Sequence, residues 1–325
     1  MADNGGESTR RVAWVVLVPL IALASCTFQA RNDIGPGEVR VTVEDLTPRF
    51  LAFFDSANAA GADADQRWAL WKRLYHFAAI PPTPFGDTLA RRLLDSAWSR
   101  YPAALTRIRQ GAAILPVKPE SVLTRVTRLL RCGEETRVRL IVFVGGFEAN
   151  AFAFTGPGQI RVVAIPIEAG DATRSMTHEF AHAVHRGGCT AFSADYDQSL
   201  GELVVSEGLA MRVVEQLVPG HDAAYYTTAA PGWLQAAEAQ RIGILRGIRE
   251  HAAEHGTAQR FTFGGGTTGV TREAYYAGWI LVGVMQSELG MSLHDIAVTP
   301  ASEYPELVRR AIDRAIGRVD RTPGP

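Results

Sequence analysis

The stretch "THEFAHAVH" carries two histidines four positions apart, His178 and His182, with Glu179 directly after the first. On a helix of about 3.6 residues per turn, positions four apart lie one above the other on one face. Two imidazoles placed in this way can share one metal ion, at about 2.0–2.1 Å each if the ion is zinc. The glutamate after the first histidine then stands beside the water that the ion activates, where a carboxylate can act as general base. Two imidazoles do not complete a site, so a third ligand is expected further along. "LGELVVSEGLAMRVVEQ" supplies one in Glu207. Two histidines and one glutamate leave the fourth zinc position open, which is the arrangement of a catalytic site rather than a structural one.

Two other residues compete for a place at the ion. Glu202 precedes Glu207 by five positions, about 140° around a helix, so the two cannot face the same ion. Gly208 and Ala210 beside Glu207 are small enough for close helix packing at the ion, which favours Glu207. Glu202 is expected to support the site from outside or to lie on the surface. His185 shares a face with His178 and His182, but its Cα should lie about 10 Å along the axis from that of His178. It too is read as a supporting or surface residue.

These side chains need a frame. Asp171 is a helix cap and Gly187-Gly188 a stop, so the spacing predicts a helix over residues 171–186. Further helices are expected over 199–217, 233–253, 270–289 and 302–316. Before them, "RVRLIVFV" (137–144) alternates and is rich in β-branched residues, as a strand is. "GGFEANAFAFTGPG" reads as a long loop, and a second strand starts at Gln159. Pro166 cannot donate to a ladder, which places that strand at an edge. A substrate peptide could then add along residues 160–165 as an extra strand. Upstream, Thr47-Pro48 opens a helical region in which Phe50, Phe53, Trp68, Trp71 and Tyr75 recur near helical spacing and read as core. "FGGGTTG" lacks the Gly-Lys-Ser/Thr of a phosphate loop and reads as a hinge or turn. The expected class is α+β, mainly helical, with a small sheet beside the H-E-x-x-H helix.

At 325 residues the chain can bury a full core, and its 33 Lys+Arg nearly balance its 34 Asp+Glu. No long run of one sign occurs, so nothing points to nucleic acid. The first residues are an address. Arg10-Arg11 precede the apolar run "VAWVVLVPLIALAS", too short for a bilayer core, which needs roughly 20 residues. The run ends in Leu23-Ala24-Ser25-Cys26, which resembles a bacterial lipobox. Residues 1–25 are then a lipoprotein signal peptide, Cys26 the lipidated membrane anchor, and 26–41 a tether. Residues 42–136 form an N-terminal helical region and 137–325 the zincin-like catalytic region. Such a protein sits on the extracytoplasmic face of the bacterial cell envelope, at the outer membrane where there are two. Cys132 and Cys189 remain, either as a disulfide or as two buried thiols.

"THEFAHAVH…GELVVSEGLA" resembles a bacterial domain-of-unknown-function family of predicted Zn-dependent proteases, gluzincin-like in its ligands, over about residues 137–314. The resemblance implies one Zn2+ held by His178, His182 and Glu207, with Glu179 as general base and a peptide or protein as substrate. The family carries Gly-Tyr on its late helix, whereas this chain has "YYAGWILVG", with Trp279 after Gly278. Tyr276 is taken as the donor to the developing oxyanion, with Tyr275 the other candidate; a pair of core tyrosines is the plainer reading. A different class of function is a non-catalytic zinc-binding envelope lipoprotein acting as a binding or assembly factor. A pure binding site has no use for Glu179.

Overall fold

The computed structural model describes residues 39–319, apart from 81–82, 116, 133–135, 149, 157–159, 191–196 and 228–229. The expected signal peptide over residues 1–25 and Cys26 lie outside the described residues. The chain enters as strand β1 (Val39–Asp45) and continues through helices α1 (Thr47–Ala59), α2 (Ala64–Leu74), α3 (Pro84–Ala97), α4 (Tyr101–Ile108) and α5 (Pro119–Leu130). Three strands follow: β2 (Thr136–Phe143), β3 (Phe152–Thr155) and β4 (Arg161–Pro166). The rest is helical: α6 (Ala172–Val184), α7 (Leu200–Leu217), α8 (Ala223–Thr227), α9 (Trp233–Ala239), α10 (Arg241–His251), α11 (Ala258–Thr262), α12 (Glu273–Glu288), α13 (Leu293–Val298) and α14 (Tyr304–Val319). No helix among the described residues is long and apolar enough to cross a membrane.

The sheet order is β1-β2-β4-β3, with β1, β2 and β4 parallel and β3 antiparallel to β4. Three expectations change here. β1 takes in the last residues of the expected tether and the first of the expected helical region, and it pairs with β2 in one sheet. β3 lies in what reads as a loop, since four residues between glycines carry little pattern. β4 is an interior strand, paired on both sides, and the edge belongs to β3. Pro166 is tolerated because of where its missing N–H would point. Ile167 donates to Phe143 of β2; N–H groups alternate sides along a strand, so the Pro166 nitrogen faces the β3 side. There β3 pairs no further than Phe152 with Ala164.

The helices start where their caps are. Asp171 Oδ1 accepts from the amides of Thr173 and Arg174 at the head of α6. Ser199 and Glu202 form a reciprocal capping box at the head of α7. α6 packs on β4 and β3 and is covered by α7, which is gripped in turn by α12 and α14. Tyr75 donates to the Val144 carbonyl at 2.9 Å and accepts from its amide at 2.8 Å, anchoring the end of α2 to the end of β2.

Cys132 and Cys189 are joined, with their Cα atoms 4.9 Å apart. The bond ties the end of α5 to the π turn (His185–Cys189) that closes α6. It closes a loop of 57 residues, worth about 4 kcal/mol in the chain-entropy model. A double Cys132→Ser, Cys189→Ser variant should lose stability of that order in urea unfolding. A loss well under about 1 kcal/mol would mean that the bond adds no constraint beyond the packing of α5 on α6.

Candidate metal centre

α6 brings His178 and His182 onto one face, and α7 crosses over that face with Glu207. His178 Nε2 lies 3.2 Å from Glu207 Oε2 and 3.1 Å from His182 Nε2, and His182 Nε2 lies 3.4 Å from the same carboxylate oxygen. The edge of a tetrahedron around an ion with ligands at about 2.0–2.1 Å is about 3.3–3.4 Å, so this triangle has the dimensions of one face of a zinc site. All three side chains are buried. Two neutral imidazoles that present Nε2 lone pairs to one another and to a carboxylate repel unless a cation lies among them. In the tautomer that binds through Nε2, His182 Nδ1–H donates to Ser206 Oγ, 3.1 Å away. Such a bond fixes the ring and raises its basicity toward a metal. The donor set therefore fits zinc.

The charges of these groups are tightly coupled. Burial pushes Glu207 up, but the charges and hydrogen bonds of His182 and His178 outweigh it and hold the carboxyl well below the usual range. Burial pulls His178 down, and the Glu207 hydrogen bond and the charges of Glu179 and Glu207 more than reverse that. Glu179 is buried beside the cluster and is not one of its three ligands. Burial raises its pKa and the Glu207 charge adds to the rise, while the histidines oppose it. A base with a raised pKa matches the demand for proton transfer near neutral pH.

The rivals go elsewhere. Glu202 is buried, and its carboxylate accepts from the Ser199 amide at 2.6 Å as half of the capping box. His185 is neither a surface residue nor a ligand: it is buried and its Nε2 lies 2.9 Å from the Tyr304 hydroxyl. That contact joins the end of α6 to α14.

Glu207 is held against the two histidines by a crossing of α7 and α12. A β-carbon on Gly278 would lie 2.6 Å from the Val204 carbonyl oxygen, and one on Gly208 would run into the Gly278 backbone. Only glycine at both points lets the helices approach so closely. The crossing sets α12 beside the ligands, and it decides between the tyrosines. Tyr276 is not brought to the site. Its ring packs on Trp233, with centroids 6.3 Å apart, and its hydroxyl lies in the field of Glu238 and Arg241. Tyr275, one position earlier and about 100° around the helix, is the tyrosine whose phenol feels Glu207 and Glu179; burial first, and then those charges, raise its pKa. The Gly-rich loop is pinned rather than hinged. Its Thr267 and Thr268 amides and hydroxyls donate to the buried Glu273 carboxylate, at the first residue of α12.

Ser206 is the functional candidate that the pattern does not single out, and Tyr275 stands there only as the second of two tyrosines. Ser206 had one signal, its place next to a ligand on a helix that is buried all round.

Together these features define a buried two-histidine, one-carboxylate centre on consecutive helices, with a spare glutamate at hand. Residues 150–304 match the model of a family described as "Predicted Zn-dependent protease", of unknown function. The match takes in β3, β4 and every residue of the centre. No curated protein and no solved structure matches the chain.

Proposed function

We propose that the protein is a zinc-dependent peptidase. The observation that carries this reading is the triangle of His178, His182 and Glu207 ligand atoms, at 3.1–3.4 Å, with Glu179 beside it and outside it. A zinc ion held there supplies the Lewis acidity that makes water nucleophilic near neutral pH. Glu179 takes the proton of that water and passes it to the leaving amine. The Tyr275 phenol donates a hydrogen bond to the oxygen on which negative charge develops. Tyr275→Phe should therefore lower kcat roughly 10²–10³-fold with little change in KM. Tyr276→Phe should leave kcat unchanged; the opposite pattern in assays of the two variants would return the role to Tyr276.

The substrate seat moves from residues 160–165 to the free edge of β3. Gly156 donates to Ile160 at 2.7 Å, so every second pair is hydrogen-bonded. Phe152 and Phe154 bond inward to β4, and the polar backbone groups of Ala153 and Thr155 point away from it. Among the described residues no strand pairs with that side. A peptide added there gains main-chain hydrogen bonds without a side-chain requirement.

Two further features support a place at the cell envelope, anchored through Cys26, on the outer membrane where there are two. The apolar run ends in Leu23-Ala24-Ser25-Cys26, and disulfides such as Cys132–Cys189 persist outside the reducing cytoplasm. The test is digestion of a mixed peptide library by the zinc-loaded protein. Cleavage should stop with a chelator and return with zinc, and Ala153→Pro, which removes one outward N–H, should raise KM roughly fivefold. A zinc-loaded protein that cleaves no peptide would favour a binding factor instead.

A further inference from the structure

The side chains of β3 fall into two rows. The register pairs Thr155 with Arg161 and Ala153 with Val163, and partners across a ladder share a face. Arg161 donates to the Gly187 carbonyl, in the π turn that closes α6. Ala153 and Thr155 therefore turn toward α6, and Phe152 and Phe154 turn to the opposite face of the sheet.

On that face aromatic rings stand in line. Phe154 stacks on Phe152 with centroids 5.8 Å apart, and Phe152 stacks on Phe77 at 6.4 Å, both pairs at 19° between planes. Phe143 of β2 closes the inner end, its ring 5.0 Å from that of Phe77 and 6.3 Å from that of Phe152. The row runs outward from the core to solvent: Phe143 is fully buried, whereas Phe154 is 40% exposed. Ile160 is 51% exposed. The bond from the Gly156 amide to its carbonyl extends the register by one pair, so Ile160 shares the face of Phe154.

Such an edge invites a partner. Native edge strands are blunted by charge, proline or bulges, or are kept short, because unpaired backbone groups beside apolar side chains recruit another strand. Phe152–Thr155 has no charge and no proline, and its pairing with β4 runs without a bulge. Shortness is its one safeguard, and it decides which partner fits. A stable dimer buries about 800 Å² and about 20–30 residues on each side, and four residues do not supply that. A short extended peptide needs no more than they offer, since the outward backbone groups of Ala153 and Thr155 pair main chain with main chain.

We infer that the β3 edge selects extended peptide segments with large apolar side chains on alternate residues. Two such side chains lie beside Phe152 and Phe154, and the residue between them points past the small Ala153 toward α6. The main chain gives affinity for any sequence, and the aromatic row gives the choice among sequences. This inference rests on the peptidase reading and its seat on β3, and the experiment separates the two.

The probes are two capped, fluorescently labelled heptapeptides of identical composition. One has two phenylalanines separated by a single threonine, and the other has them adjacent. Neighbouring residues of a strand point to opposite faces, so only the first peptide sets both rings on the row. Anisotropy on the zinc-loaded Glu179→Gln protein, used so that bound peptide stays intact, should find the alternating peptide roughly five- to thirtyfold tighter. Phe154→Thr, added to that protein, keeps a strand-forming residue at an exposed position. It should bring the two affinities within about twofold of each other, with zinc content and melting temperature as before. Equal affinities at the start, or an advantage that survives Phe154→Thr, overturn the inference; cleavage of both peptides by the wild type then leaves the peptidase reading standing. Selective binding that depends on Phe154, with no cleavage by the wild type, keeps the edge as a peptide seat and overturns the peptidase reading. A concentration-dependent dimer in sedimentation, lost in Phe154→Thr, would give the edge to a second copy and overturn the inference as well.

Discussion

Glu179→Gln should bind zinc as wild type does and lose turnover. Glu179 is outside the set of three ligand atoms, so removing its charge takes nothing from the donor set. Glutamine nearly matches glutamate in shape, and the neighbouring histidines are spared a cavity. What disappears is the carboxylate proposed to accept the proton of water and return it to the amine. General acid–base catalysis contributes typically 10²–10⁴-fold, and a loss in kcat of that size or larger fits the assignment. Peptide KM should change little. A variant that loses zinc together with activity would make Glu179 part of the metal site, and one that keeps activity would end its role as base.

Glu207→Ala should strip the zinc and all turnover with it, whereas Glu202→Ala should keep both. The reason lies in where α7 points the two carboxylates. Glu207 Oε2 is 3.2 Å from His178 Nε2 and 3.4 Å from His182 Nε2. Glu202 is spent on the Ser199 amide. Its loss should cost about 0.5–2 kcal/mol of helix capping, readable as a lower melting temperature with the metal still bound. Metal analysis after dialysis decides the matter. Zinc retained in Glu207→Ala and lost in Glu202→Ala would mean that α7 presents its other face to the ion.

How much of this could be read in the sequence differs from residue to residue. His178 and His182 were legible because a local period of four fixes their common face whatever surrounds the helix, and Glu179 by its place directly after the first of them. Glu207 was legible because only one of two glutamates five apart can reach the ion, and the small Gly208 beside it marks a close crossing. The choice between Tyr275 and Tyr276 was not legible. α12 is buried on most of its surface, so no polar face shows which side meets the metal, and the answer depends on the Gly208–Gly278 crossing. The strands were half legible. β2 declares itself by a β-branched run, but β1 sits among charges next to a helix start, and β3 is four residues long in a glycine-rich stretch. Pro166 misdirects because a proline rules out a donor on one side of a strand only, and β3 does not extend to that point. Ser206 carries no pattern of its own; its role exists only because His182 stands across from it.

Zinc K-edge X-ray absorption on the zinc-loaded protein tests the central claim most directly. Two imidazole nitrogens together with oxygen donors at about 2.0–2.1 Å and no sulfur shell are expected. The imidazole signal should fall to one in His182→Ala. A chain that binds no zinc at equimolar metal, or a first shell with sulfur or without imidazole, would contradict the account.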